Sequence, residues 1–166
     1  MDYKFSLAEE TDALELSLVK CKCWNTTYRG IYPDHKLDNF DIEDHKNEFI
    51  KIIKDKTKKI YKITIDNKII GYFEYGSPIK KYKDFKQEIG VFYILKEYQH
   101  KGIGKSAFKF AYKDMKKNNY KEFIISCNKY NFNAQKFYQK MGGKIDSIDE
   151  DKKDGSSQIH YYFKII

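Results

Sequence analysis

Long apolar runs, cysteine and proline are all scarce in this chain of 166 residues. No stretch of about 20 consecutive apolar residues could span a bilayer, and the opening segment, MDYKFSLAEE, contains acids and lacks the apolar core of a signal peptide. The cysteines, Cys21, Cys23 and Cys127, are odd in number, and Cys21 and Cys23 have no second ligand pair at the spacing of a zinc site. We therefore expect a cytoplasmic protein with no membrane partner and no metal.

Glycine and proline are few, at 9 and 2 residues, which excludes collagen-like and low-complexity chains. Hydrophobic residues make up 41% and aromatic residues 17%, which is too apolar for a disordered chain, although 34% of the residues are charged. A chain of this length can bury a core of its own, so a single domain is predicted over residues 1–166.

Acidic residues are fewer than basic ones, 24 against 32, which gives a net charge of +8. An excess of this size favours a partner that carries phosphate. An RNA-binding protein is one alternative, and it would show alternating aromatic and basic residues on an exposed sheet face. The strands instead have the composition of buried strands and no nucleic-acid motif is found, so we expect no nucleic-acid partner.

Hydrophobic periodicity predicts a mixed α/β domain with a largely antiparallel central sheet and helices on both faces. Strands are predicted at residues 3–7, 59–65, 68–76, 87–95, 123–127, 144–149 and 158–165. Helices are predicted from Glu9 to about Trp24 and over residues 34–55, 104–117 and 134–141. Asp66 and Asn67 are expected to join the second and third strands as a tight hairpin turn.

The stretch YQHKGIGKSAF, residues 98–108, places Gly102 and Gly104 between a predicted strand and a predicted helix. It is not a P-loop, because Gln99 stands where that motif needs glycine. Gly102, Gly104 and Ala107 fit the dinucleotide fingerprint, but the downstream strand ends without the acid that this motif requires. One interpretation is purely structural: the turn needs glycine because its backbone dihedral angles are unfavourable for other residues. The other interpretation is an anion site, in which free N–H groups at a helix N-terminus face a pyrophosphate.

The segment QHKGIG (99–104) matches the Q/R-x-x-G-x-G/A signature of the GNAT family of N-acetyltransferases. EIGVFYILKEYQHKGIGK (88–105) resembles the family's fourth strand and acetyl-CoA loop, and NFNAQKFYQKMG (131–142) resembles its second cofactor motif. WNTTYRGIYP (24–33) is similar to the segment that joins the first two helices in many bacterial members. This resemblance covers most of the chain. It implies a single GNAT-like domain whose sheet is splayed between strands 4 and 5, and a transferase that uses acetyl-CoA.

The resemblance also implies an acetyl-CoA site built mainly from backbone. The backbone of Phe92, Tyr93 and Ile94 would pair with the pantetheine arm, and Asn131 would contact the same arm. Asn133 is expected to cap the following helix. The amides of the loop would hold the pyrophosphate, namely those of Gln99, His100, Lys101, Gly102, Ile103, Gly104 and Lys105.

The implied chemistry needs a base, an oxyanion donor and an acid. An alkylamine is mostly protonated at neutral pH, so a base must take a proton before it attacks the thioester. Glu88 is the candidate base, acting through water, and Ile94 is the candidate N–H donor to the oxyanion. Tyr138 holds the position of the family's tyrosine, which contacts the cofactor and returns a proton to the departing thiolate.

The acceptor is expected opposite the cofactor, near Trp24, Tyr28 and Tyr32, the 77–84 loop and the C-terminal hairpin. A polyamine, an amino-acid-like amine, an aminoglycoside and a protein N-terminus or lysine all remain open, and so does a homodimer. Acids between residues 38 and 48 would suit a polycation. A non-catalytic acyl-CoA-binding module is a further alternative, which would keep the glycine loop without needing Glu88 or Tyr138.

Overall fold

A computed structural model of the protein describes residues 2–78 and 80–166. Within these residues the strands form one seven-stranded sheet in the order β1-β2-β3-β4-β5-β7-β6. The strands are β1 (Lys4–Leu7), β2 (Lys58–Ile65), β3 (Lys68–Gly76), β4 (Glu88–Ile94), β5 (Glu122–Asn128), β6 (Lys144–Ile148) and β7 (Gln158–Lys164). The helices are α1 (Ala13–Tyr28), α2 (Asp34–Asp38), α3 (Ile42–Asp55), α4 (Ile103–Lys117) and α5 (Phe132–Lys140). The predicted α/β fold class is confirmed.

Neighbouring strands are antiparallel except for β4 and β5, which are parallel and joined through α4. These two strands pair only at Glu88 and Ile124, whereas β5 and β7 stay paired from Glu122 to Asn128. Beyond that single pair, β4 and β5 diverge. The splay predicted between strands 4 and 5 is therefore present, and it leaves one edge of β4 without a partner strand.

A bulge interrupts the pairing of β4 with β3. Glu74 lies opposite Val91 and Tyr75 lies opposite Ile89, so Gly90 is an extra residue on β4. A bulge of this kind bends its strand and changes the direction of the side chains that follow. It thus contributes to the divergence of β4 from β5.

The α4 side of the sheet carries the larger apolar cluster. Ile103, Ala107, Ala111 and Met115 recur every three or four residues and are all buried, so one stripe of α4 faces the sheet. Strand side chains such as Phe73, Ile89, Phe123, Tyr161 and Phe163 complete this core.

The opposite face is covered by α1 and α3, where Leu16 and Phe49 pack on Tyr72 and its neighbours. Helix α1 was predicted to end near Trp24, but it continues to Tyr28. Asn25 Nδ2 donates to the Cys21 carbonyl oxygen at 3.1 Å, and Thr26 Oγ1 donates to that of Lys22 at 3.1 Å. These polar side chains bond one turn back along the helix, so they do not terminate it.

Residues 34–55 form two helices where one helical stretch was predicted. The break lies at residues 39–41, and Asp41 starts α3 by accepting a hydrogen bond from the Asp44 amide at 2.9 Å. An aspartate that accepts from the third residue after it is a strong helix start signal. The hairpin turn at Asp66 and Asn67 is as predicted, since both residues have the positive φ that such turns require.

Candidate active site

A cavity of about 870 Å³ opens where β4 and β5 diverge. Its walls come from the last turns of α1, the outer half of β4, the loop that enters α4, the end of β5 and helix α5. Most of the predicted site residues line it: Trp24, Tyr28, Tyr32, Phe92, Tyr93, Ile94, Gln99, His100, Gly102, Gly104, Lys105, Asn131 and Tyr138. The cavity is large enough for an extended cofactor and a small second substrate.

The N-terminus of α4 faces this cavity without a side-chain cap. Gly102 is its N-cap residue, with φ of 82°, and no side chain bonds the first turn. By contrast, Asp41 caps α3 and Asn131 caps α5. Uncapped amides at a helix N-terminus carry partial positive charge and bind anions. Gly102 and Gly104 both line the cavity, so no side chain of these two residues stands between an anion and the backbone amides.

The loop before α4 is held in place by its own side chains. Gln99 Nε2 donates to the Ile94 carbonyl oxygen at 2.8 Å, which ties the loop to the end of β4. His100 adopts a left-handed conformation with φ of 59°. The Ile103 side chain is buried in the core, Lys101 is exposed with its Nζ 5.5 Å from the Tyr98 ring centroid, and neither residue is among the described residues that line the cavity.

The free edge of β4 presents backbone groups to the cavity. Leu95 N–H donates to the Ile70 carbonyl oxygen at 2.9 Å, so residues 95 and 70 form a hydrogen-bonded pair. Because such pairs alternate along an antiparallel ladder, the N–H groups of Phe92 and Ile94 point away from β3 and into the gap. An extended ligand chain can pair with this edge as a strand would.

Helix α5 brings Tyr138 to the inner wall of the cavity. Its side chain is 7% exposed, and burial raises the pKa of the Tyr138 phenol well above its ordinary value, with nearby Cys127 adding to the effect. The helix cap was predicted at Asn133 and is Asn131 instead, whose Oδ1 accepts from the Ala134 amide at 3.1 Å. Asn133 lies within the first turn of α5 and lines the cavity beside Asn131.

Aromatic side chains of α1 and of the segment after it form one wall of the cavity. The rings of Tyr28 and Tyr32 lie 4.9 Å apart, and Trp24 is 5.7 Å and 6.0 Å from them. Trp24 Nε1 donates to the Tyr93 hydroxyl at 2.9 Å, which joins this cluster to β4. The predicted acceptor loop, 77–84, includes Ile79, which lies outside the described residues.

Glu88 forms part of a buried charge cluster. Lys58 Nζ lies 3.2 Å from Glu88 Oε2 and 3.4 Å from Glu74 Oε1, and the Lys58 and Glu74 side chains are almost fully buried. Burial raises the pKa of Glu74, and the Lys58 ammonium opposes that rise. A Cβ atom on Gly90 would lie 2.6 Å from Lys58 Nζ, so glycine at the bulge leaves room for the cluster. Glu88 is not among the described residues that line the cavity, although Gly90 is.

The acids between residues 38 and 48 mostly have partners in the structure. Asp38 is paired with Arg29, Glu43 with Lys46 and Glu48 with Lys20. Asp41 caps α3. These contacts leave little free negative charge there for a polycation.

Sequence reasoning did not single out several polar residues of the cavity. Ser126 lies on β5 and lines the cavity together with Asn128, whose Nδ2 donates to the Gly155 carbonyl oxygen at 2.7 Å. The signal for Ser126 was present, since it is a polar residue inside the apolar strand FIISC. No group of three or more His, Cys, Asp or Glu side chains in residues 2–78 and 80–166 is arranged to hold a metal ion. In the same ranges, no helix is long and apolar enough to cross a membrane.

An open helix N-terminus, a free strand edge and a buried tyrosine surround one cavity, and this arrangement suits an extended ligand that carries an anionic group. A model of the acetyltransferase (GNAT) family matches residues 21–143. The chain therefore belongs to the GNAT family, and it is an acetyl-CoA-dependent N-acetyltransferase.

Similar proteins include a spermidine N(1)-acetyltransferase of Thermoplasma acidophilum, which is 29% identical over 133 residues, 76% of this chain and 78% of that protein. Among solved structures, the PaiA N-acetyltransferase of Thermoplasma acidophilum in complex with coenzyme A superposes with a TM-score of 0.81 at 27% identity, covering 99% of both chains. An N-acetyltransferase of Staphylococcus aureus gives a TM-score of 0.76 over 100% of both chains, and at 14% identity this likeness concerns the fold alone.

Proposed function

We propose that the protein transfers the acetyl group of acetyl-CoA directly to a small primary amine while both are bound in the cavity. The observation that carries this proposal is that the uncapped α4 N-terminus, the free β4 edge and Tyr138 all face the same space. The similar PaiA structure holds coenzyme A, which supports the same cofactor position in this chain.

Direct attack is favoured over a covalent acetyl-cysteine route. Cys23 and Cys127 are the cysteines that line the cavity, and burial raises the pKa of each to about 12. The thiolate is the nucleophilic form, and it is scarce at neutral pH when the pKa is so high. The amine itself is then the nucleophile.

Three groups serve the direct transfer. Glu88 accepts, through water, the proton that an ammonium must lose before it can attack. The Ile94 N–H, directed into the gap, donates to the oxyanion of the tetrahedral intermediate. Burial raises the pKa of Tyr138, so the group stays a phenol at neutral pH and carries the proton that the departing thiolate receives.

We propose a polyamine as the acceptor. Trp24, Tyr28 and Tyr32 line the cavity, and aromatic faces attract ammonium groups through their quadrupoles, as the Lys36 ammonium 4.1 Å from the Tyr32 ring centroid illustrates. The 29% identical relative is named as a spermidine acetyltransferase, which supports the same substrate class. An amino-acid-like amine and a protein N-terminus or lysine are the alternatives, and an amine panel separates them.

A cofactor-binding experiment tests the proposal at Gly104. Acetyl-CoA at about 100 times its Kd should stabilise the folded protein by about 2.7 kcal/mol and so raise its Tm. A Cβ on Gly104 would lie 3.6 Å from Phe137 and 3.7 Å from Ile94, which is ordinary van der Waals contact, and all three residues line the cavity. The longer side chain of a Gly104→Leu variant should therefore fill cavity space beside the α4 N-terminus. We expect this variant to keep its Tm without cofactor and to lose the acetyl-CoA shift.

Lys113→Leu is the matched control, because Lys113 lies on the exposed face of the same helix. It should retain the full shift. Release of free CoA thiol is then measured with spermidine, lysine, a peptide N-terminus and an aminoglycoside. A full acetyl-CoA shift in Gly104→Leu, or no CoA release with any amine, would contradict the proposed function.

A further inference from the structure

A chain of hydrogen bonds leads away from the acceptor side of the cavity. Ser126 on β5 lies opposite His160 on β7, and Ser126 Oγ is 2.7 Å from His160 Nδ1. His160 Nε2 is in turn 3.4 Å from Oδ1 of Asp149, which follows β6. Ser126 lines the cavity, so a substrate can reach the first residue of this series of hydrogen bonds.

The donors and acceptors of these groups fix the direction of the hydrogen bonds from Ser126 to Asp149. The Asp149 carboxylate can only accept, and a hydrogen bond from Lys152 at 3.0 Å holds the pKa of that carboxyl below its usual range. The neutral His160 ring therefore carries its proton on Nε2 and donates it to Asp149. Nδ1 is left as an acceptor, so the Ser126 hydroxyl donates to it and keeps its oxygen lone pairs for the cavity.

Neighbouring groups hold the imidazole ring in this orientation. The Tyr82 ring stacks on His160 with centroids 4.5 Å apart, and the Tyr82 hydroxyl donates to Asp146. Asp146 lies near His160 and is paired with Lys83 at 2.7 Å. The charged groups around His160 are thus two carboxylates, Asp149 and Asp146, each paired with a lysine.

We propose that Ser126, His160 and Asp149 form a proton relay that takes the proton the acceptor nitrogen loses as it becomes an amide. This inference rests on the proposed acetyl transfer and extends it. Ser126 is the residue that contacts the nitrogen. His160 and Asp149 act through it.

The protons and electrons of the step balance. The neutral amine forms a C–N bond to the acetyl carbon, and the C–S bond breaks with its electron pair going to sulfur. The nitrogen gives a proton to Ser126 Oγ as the Ser126 hydroxyl proton passes to His160 Nδ1. Tyr138 protonates the CoA thiolate. The His160 imidazolium, stabilised by Asp149, then releases its proton to water, and Tyr138 regains one from water.

The relay does not replace Glu88, because two different protons must leave the nitrogen. The first turns an ammonium into an amine before the attack and goes toward Glu88. The second leaves only once the C–N bond forms, when the nitrogen becomes far more acidic. Ser126 lines the cavity and Glu88 does not, among the described residues. The later proton, which needs direct contact, is therefore assigned to Ser126.

Kinetic pH profiles of kcat test the relay, with acetyl-CoA and spermidine, or the fastest amine of the panel. His160→Gln keeps a hydrogen-bond acceptor but cannot take a proton, so it should lower kcat about 100-fold and change the dependence of kcat on pH. Ser126→Ala should do the same, Ser126→Thr should restore most of the activity, and the double variant Ser126→Ala/His160→Gln should be no worse than either single variant.

His35→Gln is the matched control, since His35 lies on the exposed surface of α2, and it should keep both kcat and its pH profile. All relay variants should retain the acetyl-CoA thermal shift, which separates loss of the relay from loss of cofactor binding. A His160→Gln or Ser126→Ala variant with full kcat and an unchanged profile would overturn the relay. If the wild type neither binds acetyl-CoA nor releases CoA thiol, the proposed function itself has failed.

A second measurement needs no substrate. Long-range ¹H–¹⁵N spectra of the neutral imidazoles report which ring nitrogen carries the proton, and the His160→Gln spectrum assigns the signal. We expect the proton of His160 on Nε2. A proton on Nδ1 would overturn the relay, because Ser126 could then not donate to that nitrogen.

Discussion

Tyr138 lies where the inner wall of the cavity meets the apolar core. Its neighbours are Cys127 and the Tyr161 ring, which lies 5.9 Å away. Surroundings of this kind exclude water and oppose ionisation of the phenol. The residue type alone, one of 15 tyrosines, does not separate it from tyrosines that only pack.

Tyr138→Phe should lower kcat by about 100-fold while leaving the Kd for acetyl-CoA nearly unchanged, since the ring is kept and only the proton is lost. Steady-state kinetics and the acetyl-CoA thermal shift measure the two quantities. Tyr161→Phe removes a hydroxyl from an equally buried ring that does not line the cavity, and it should leave kcat unchanged. If the Tyr138→Phe variant has the same kcat as the wild type, Tyr138 is not the general acid.

At the level of helices and strands, the helix N-termini differ in their caps. Asp41 accepts from one first-turn amide of α3, and Asn131 accepts from one first-turn amide of α5. The α4 N-terminus begins at a glycine with positive φ and has no such side chain. The sequence predicted the glycine loop from its spacing, but it placed the α5 cap at Asn133, because both asparagines stand near the start of the same helix.

Substitution of the two asparagines tests which one is the cap. Asn131→Ala should lower the free energy of unfolding by about 1 kcal/mol, because the Ala134 amide loses its acceptor. Asn133→Ala is the matched control and should change it by no more than about 0.5 kcal/mol, since Asn133 is already inside the helix. Urea unfolding of both variants gives the comparison. A larger loss for Asn133→Ala would contradict the assignment.

For the whole molecule, the Lys58, Glu74 and Glu88 cluster makes stability depend on pH. Three charged side chains from β2, β3 and β4 meet beneath α1 and α3, where the ammonium offsets the two carboxylates. Glu74 has a raised pKa in the folded state. A carboxyl group with a raised folded pKa favours folding at low pH, and that contribution is lost as the pH rises through the folded pKa.

Lys58→Met should therefore lower the free energy of unfolding by about 3–5 kcal/mol at neutral pH, because two buried carboxylates lose their cation. The deficit should shrink as the pH falls toward 4.5, the ordinary glutamate value, since Glu74 then becomes neutral. Urea titrations across this pH range measure it. Lys59→Met, which removes an exposed pair with Asp114, should cost no more than about 1 kcal/mol at any pH. A pH-independent deficit for Lys58→Met would show that packing alone is involved.

Apart from the break that divides residues 34–55 into two helices, the sequence by itself determined the order of strands and helices, the hairpin at Asp66 and Asn67, and the glycine loop that matches the family signature. These features depend on residues close together in the chain, through periodicity, turn dihedrals and helix starts. Only the tertiary structure decided that Lys58 reaches Glu88, and that Ser126 faces His160 across the sheet. Such contacts join residues 30 and 34 positions apart, and they arise from strand pairing, register and the Gly90 bulge, which no local pattern encodes.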